Sequence, residues 1–325
     1  MVAVSVILLS TLALAVAVPL NHPDPVHLSR SVSPSDVPEG RNLYNVKTPV
    51  DPKRLARYNP QESNQYHLFT RRNPTVSQPL LIFNDGILES SNYDKTRRTV
   101  MLIHGYEGNA TSTFNLAMVP AILAASDLNL IVVDWTEGTE LGIPGVIVSA
   151  NSVSQFVLWL MNAAEGYEED YHLIGLGVGG QYAAIASRLA GRLGHVTALD
   201  PPIWEDEADR LRTGDAMYTE VVFTTSDGVK PNERYGQVDF YPNGGQDMPG
   251  CGGDWACNHA RSYFYMAESV VTWGFTGTEC GNNEDAFVGA CDLPGRLQMA
   301  APYASYIARG IFYLETNAAP PFSRG

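Results

Sequence analysis

Between Tyr171 and Gln181 an apolar run breaks into glycine at 175, 177, 179 and 180 and then resumes in another rhythm. Tyr182, Ala183, Ile185, Ala186 and Leu189 recur near helical spacing, and Gly191 and Gly194 close that segment. A strand that turns tightly through glycine into a helix must fold the helix back onto the strand's face. That unit, repeated, gives a sheet with helices on both sides. Apolar runs at 99–104, 128–134, 195–200, 219–225 and 307–314 supply further strands, and Phe156, Leu158, Trp159 and Leu160 lie in a second helical pattern. The expectation is an α/β fold with a mostly parallel central sheet.

The 325 residues suffice for one large domain or two small ones. The formal charge of -14 repels nucleic acid and anionic membranes at long range, so nucleic-acid partners are excluded and any lipid contact must rest on apolar surface. Val2 to Val18 is almost unbroken in apolarity and Ala15-Val16-Ala17 is a small-x-small cleavage pattern, so residues 1–17 read as a signal peptide despite lacking Lys or Arg at the start. Beyond them no apolar run approaches the length of a membrane span, so the mature chain is expected to carry no transmembrane segment. Residues 18–60 are polar and rich in Pro, Ser and Asn, which predicts a flexible arm. A domain over 61–316 follows, then a tail over 317–325 with no room for a further β-sandwich domain.

The four cysteines, Cys251, Cys257, Cys280 and Cys291, fit a secreted protein and allow three pairings, of which neighbour pairing is the simplest. Zinc is disfavoured, because only His259 lies nearby and the CxxC spacing is missing. One sequon, Asn109-Ala110-Thr111, offers a glycosylation site at Asn109.

The glycine turn admits two chemistries. Gly175, Gly177 and Gly180 satisfy G-x-G-x-x-G, and Asp200 stands where a ribose-binding acid belongs. Gly175 and Gly179 also match the flanks of the G-x-S-x-G nucleophile elbow, with Gly177 in place of serine. The rest of the chain decides. Leu102-Ile103-His104-Gly105-Tyr106 ends one strand, Val132-Val133-Asp134-Trp135 the next, and Val196-Thr197-Ala198-Leu199-Asp200-Pro201 another. Asp239-Phe240-Tyr241-Pro242-Asn243-Gly244-Gly245 and Ala256-Cys257-Asn258-His259-Ala260-Arg261-Ser262-Tyr263 follow in order.

This ordered set resembles the neutral, pancreatic-type lipases of the α/β-hydrolase fold, their phospholipase A1 relatives and the lipase-like yolk proteins of flies, over roughly residues 60–316. The resemblance implies that Asp200 is the triad acid, His259 the base, and the amides of Tyr106 and Val178 the oxyanion hole, in the usual chain order of elbow, acid and base. It also implies the pairs Cys251–Cys257 and Cys280–Cys291, and no cofactor. At the nucleophile position Gly177 has no hydroxyl to give. The expected function is therefore a lipase-like protein that binds or stores lipid without hydrolysing it; the alternative is an active carboxylic ester hydrolase acting on glyceride or phospholipid. Neither Ser187, too far along the helix, nor Ser226, at another strand end, lies on the elbow.

The family's calcium loop is matched in part by Glu207, Arg210 and Asp215, but Arg212 stands where a carboxylate ligand belongs, so no metal is expected. His104 reads as structural, and His172 and His195 as ordinary surface residues. Only five residues, Gly252 to Ala256, separate Cys251 from Cys257, where pancreatic lipases carry a long lid. The resemblance then implies an open groove, with Trp204 and Trp255 as candidates to line it and touch a fatty acyl ligand.

Overall fold

The computed structural model describes residues 23–37, 50–206, 208–225, 229–300 and 306–325; the signal segment, Glu207 and Ser226 fall outside them. Strands β1 (Gln65–Phe69), β2 (Gln78–Leu80), β3 (Thr99–Ile103), β4 (Asn129–Asp134), β5 (Tyr171–Leu176), β6 (His195–Leu199), β7 (Tyr218–Val222), β8 (Val238–Pro242), β9 (Thr276–Cys280), β10 (Arg296–Gln298) and β11 (Gly310–Leu314) form one sheet. Its order is β10-β9-β11-β8-β7-β6-β5-β3-β4-β1-β2. The seven central strands, from β11 to β4, run parallel. Both edges are antiparallel, with β1 and β2 on one side and β9 and β10 on the other.

The helices are α1 (Pro52–Arg57), α2 (Pro60–Ser63), α3 (Asp85–Ser90), α4 (Thr113–Ala125), α5 (Thr136–Thr139), α6 (Gly142–Ala164), α7 (Val178–Leu189), α8 (Trp255–Thr272) and α9 (Asn283–Val288). Alternation along a strand sends successive side chains to opposite faces. Met101 and Ile103 of β3 join α6 and α7 in one core through Val153, Phe156 and Tyr182. Val100 and Leu102 join α4 and α8 in the other through Phe114, Met118 and Tyr265. The sheet is buried on both faces, which is why its central strands read as continuous apolar runs.

Several expectations are corrected. Helix α6 is long and apolar enough to cross a membrane, 23 residues with a mean hydropathy of 1.4 over an 18-residue stretch, although no such run was anticipated. Most of it is buried against α7 and the sheet, as a core helix is. The described part of the 18–60 segment is tied to the domain. Leu28 is buried, and its amide donates to Thr75 O at 2.8 Å. Helix α1 starts at Pro52 with Asp51 accepting from Lys53 N, and Tyr58 then bonds Ser149 of α6 at 2.8 Å. Proline at the first helical position and a capping carboxylate give this polar stretch its order. The tail is anchored as well: Phe322 is buried under the Arg261 guanidinium, and Glu268 accepts from the amides of Phe322 and Ser323.

His172 and His195 are not surface residues. They stack 3.7 Å apart at the starts of β5 and β6, with Thr197 Oγ1 bonded to both rings. Parallel pairing sets His172 opposite His195, a relation between strands that neither segment reveals alone. The disulfides are Cys251–Cys257 and Cys280–Cys291, as expected.

Candidate active site

Loops at the carboxyl ends of the parallel strands line one end of the sheet, where open α/β folds place their sites. Gly177 leaves β5 with φ 57° and ψ -125°, and α7 begins at the next residue. A residue bearing a side chain reaches such a backbone region only at a cost of about 1–3 kcal/mol. The flanking glycines answer a different demand. A Cβ on Gly175 would meet Gly179 O at 1.9 Å, and one on Gly179 would meet Ile103 O at 2.4 Å. The turn is thus an elbow squeezed between its own helix and β3.

Gly177 N donates to Leu199 O at 2.8 Å, which ties the elbow to the end of β6. Asp200 follows immediately, buried, with a left-handed φ of 47°. Its Oδ1 accepts from the amides of Thr224 and Thr225, both at 2.8 Å, and its Oδ2 accepts from Thr225 Oγ1 at 2.9 Å. The same Oδ2 lies 2.7 Å from His259 Nδ1. A carboxylate accepts, so Nδ1 is the donor of this bond and Nε2 faces away from Asp200. The carboxylate is also unavailable to a ribose, which removes the dinucleotide reading.

His259 sits in the first turns of α8. Asp254 caps that helix by accepting from Cys257 N at 2.8 Å, and the Cys251–Cys257 disulfide pins the same turn. Trp255, four residues before His259, stacks on its ring. It is half-buried beside that ring. Trp204 is not at a rim: it is buried in the core that α6 and α7 share, because the loop after Asp200 turns inward.

Tyr106 lies in the turn after β3, beside the elbow, since a Cβ on the preceding Gly105 would meet Leu176 O at 3.0 Å. Val178 is the first residue of α7, so its amide has no acceptor within the helix. His104 supports this loop. Its Nε2 accepts from Trp135 N at 3.1 Å, its Nδ1 bonds Gly105 O at 3.0 Å, and Trp135 Nε1 donates to His104 O at 2.9 Å. Asp134 accepts from Ala110 N and Thr136 N and fixes the far side of the loop. Asn109 is exposed in this turn.

Sequence reasoning missed Thr225, which anchors Asp200, and Gln181, which joins α7 to the 202–211 loop through Pro202 O and Leu211 N, both at 2.6 Å. Thr225 had a signal, as the polar end of an apolar run; Gln181 had one too, as a polar residue on the buried side of an apolar helix. In the partial calcium match, Asp215 Oδ1 faces Arg188 Nε at 3.0 Å and Arg212 Nε at 3.7 Å, so guanidinium groups stand where a cation would need oxygen ligands.

A parallel sheet, a glycine-flanked elbow after β5, an acid after β6 and a histidine beyond β8 define the α/β-hydrolase class. The chain belongs to the Lipase family, whose model matches residues 28–322. It is 30% identical over 275 residues to "Pancreatic lipase-related protein 2" of Homo sapiens, covering 74% of this chain but 59% of the human one. Against "Inactive pancreatic lipase-related protein 1" of Mus musculus identity is 30% over 320 residues, covering 85% of this chain and 67% of the other. "Pancreatic triacylglycerol lipase" of Equus caballus is 28% identical over 318 residues, covering 84% and 68%.

Proposed function

We propose that this chain is a secreted, lipase-like protein that engages lipid, in a binding or storage role, without hydrolysing esters. The observation that supports the reading is Gly177 at the centre of the glycine-flanked turn, with φ 57°, ψ -125° and no hydroxyl to act as a nucleophile. In the triad reading, His259 oriented by Asp200 would remove a proton from a serine, and the amides of Tyr106 and Val178 would hold the oxyanion. Losing the nucleophile from such a set costs about 10⁶ in kcat in a well-studied protease. Ser187 is no substitute, because its hydroxyl donates to Asp215 O and accepts from Leu193 N within the core. Two disulfides and the signal-like N-terminus support secretion, and the exposed turn at Asn109 supports glycosylation there.

The intact Asp200–His259 pair favours one competing reading, an ester hydrolase in which His259 activates water directly. A p-nitrophenyl butyrate assay separates the two. Hydrolysis equal to that of His259→Ala supports the non-hydrolytic reading. Turnover that disappears in His259→Ala would establish the hydrolase instead.

A further inference from the structure

Helix α8 carries His259 near its start and holds the end of the chain with Arg261, Tyr265 and Glu268. Steps of four and then three residues set these three in one row. Glu268 is half-buried and accepts from the amides of Phe322 and Ser323, one on each carboxylate oxygen, both at 2.8 Å. Ser323 Oγ donates to Gly274 O at 2.6 Å, and Asn317 N closes the segment on itself by donating to Phe322 O at 2.8 Å. Phe322 is thereby wedged between Tyr265, with ring centres 5.1 Å apart, and the Arg261 guanidinium, 4.6 Å above its ring.

Arg261 is buried, and no carboxylate among the described residues offsets the burial that pulls its pKa down. A buried cation must then be compensated by dipoles. Two separate segments supply them. In the tail, Ala318 O accepts from Nη2 at 3.0 Å, and the face of Phe322 adds its own attraction. In the loop before Cys251, Pro249 O accepts from the same Nη2 at 3.3 Å. The two segments also meet directly, since a Cβ on Gly250 would stand 2.9 Å from Ala318 O. From Gly250 the loop runs on to Trp255 and His259. The Cys251–Cys257 disulfide ties its far end to α8, and Asn258 Oδ1 accepts from Met248 N at 2.8 Å. Arg261 and the tail hold its entry at 249 and 250.

We propose that the segment 316–323 is a latch on the candidate site: its docking, carried through Arg261, sets the loop 249–256 and with it the place of Trp255 over His259. Arg261 is a positioning residue in this scheme, bonded to the tail and the loop together. When the latch lifts, the guanidinium loses Ala318 O and the Phe322 face and turns to water, and Pro249 is released with it. The proposal rests on reading His259 as part of the site, and is indifferent to whether esters are hydrolysed there.

The test uses the full chain and Glu268→Gln, whose amide offers one oxygen where the carboxylate offers two. Glu268 lies nine residues beyond His259, about 13 Å along the helix, and among the described residues its carboxylate bonds only the tail. The readouts are the rate at which diethyl pyrocarbonate modifies His259, by peptide mass mapping, and hydrogen exchange along the chain. Glu268→Gln and Phe322→Ala should each raise the rate by about threefold or more, a part of the worth of one charge-assisted hydrogen bond. Exchange protection should fall at residues 251–259 and hold in β3 and β5. In an Arg261→Met background neither change should add to the rate. Should Arg261→Met fail to fold, the rate and the exchange pattern in Glu268→Gln decide. An unchanged rate in Glu268→Gln would overturn the proposal. So would protection lost evenly across the domain, or effects that add to that of Arg261→Met, since a tail that only stabilises the fold predicts both.

Discussion

The indole of Trp255 lies over the imidazole of His259, ring centres 4.7 Å apart and planes 14° from parallel. One helical turn separates the two residues, so the stack is set by α8 itself. Asp200 holds the ring at Nδ1 while Trp255 covers a face. Trp255→Ala should therefore raise severalfold the rate at which diethyl pyrocarbonate modifies His259, measured by peptide mass mapping. An unchanged rate would mean that the indole shields nothing.

Gly177→Ser should create p-nitrophenyl ester hydrolysis, and adding His259→Ala should remove it, because the two residues act as a unit. The serine must adopt φ 57° and ψ -125°, so the substituted protein should also lose about 1–3 kcal/mol in denaturant unfolding. A well-folded Gly177→Ser protein with no gain would show that more than the nucleophile separates this site from a working one.

Removing the Cys251–Cys257 disulfide by a double Cys→Ala change should lower stability by about 2 kcal/mol, from the entropy of closing so short a loop. The helix turn that carries His259 should loosen first. Hydrogen exchange at Cys257 to His259 in the intact protein and the double variant reads this directly, and equal protection in the two would contradict it.

His67 is fully buried on β1, bonded to Ser77 and Gln65, and burial pushes its ring down to about 4. Between the unfolded value of 6.5 and that lowered one, the unfolded chain binds more protons than the folded one. Stability from this residue is therefore complete above pH 6.5 and falls as pH drops, by about 3 kcal/mol at pH 4. His67→Gln keeps hydrogen-bonding capacity without the titration. Comparing unfolding free energies at pH 7 and pH 4.5 should show a smaller loss for the variant; equal losses would refute the assignment.

Strands β3, β4, β5 and β6 were legible within a residue or so at either end, because a strand buried on both faces must be apolar throughout. The elbow was equally legible, since Gly175 and Gly179 are demanded by contacts with the adjoining backbone that no larger residue permits. Cysteine separation and family resemblance indicated both disulfides. Asp200 and His259 were readable as motif positions, but their 2.7 Å contact spans 59 residues and exists only once β6 and α8 are placed.

What the sequence determined by itself was local: the alternation of strand and helix, the tight turn at 175–180, and the absence of a hydroxyl at 177. What the tertiary structure decided was every property that depends on a distant neighbour. It pairs β1, β2, β9 and β10 onto the sheet edges, where short strands carry too little apolar pattern to announce themselves. It turns α6 from a possible membrane span into a core helix by laying it against α7 and the sheet, and stacks His172 on His195 through strand register. It sends Trp204 inward while leaving Trp255 at the site. Composition fixes how much apolar surface must be covered, but only packing selects which elements cover it.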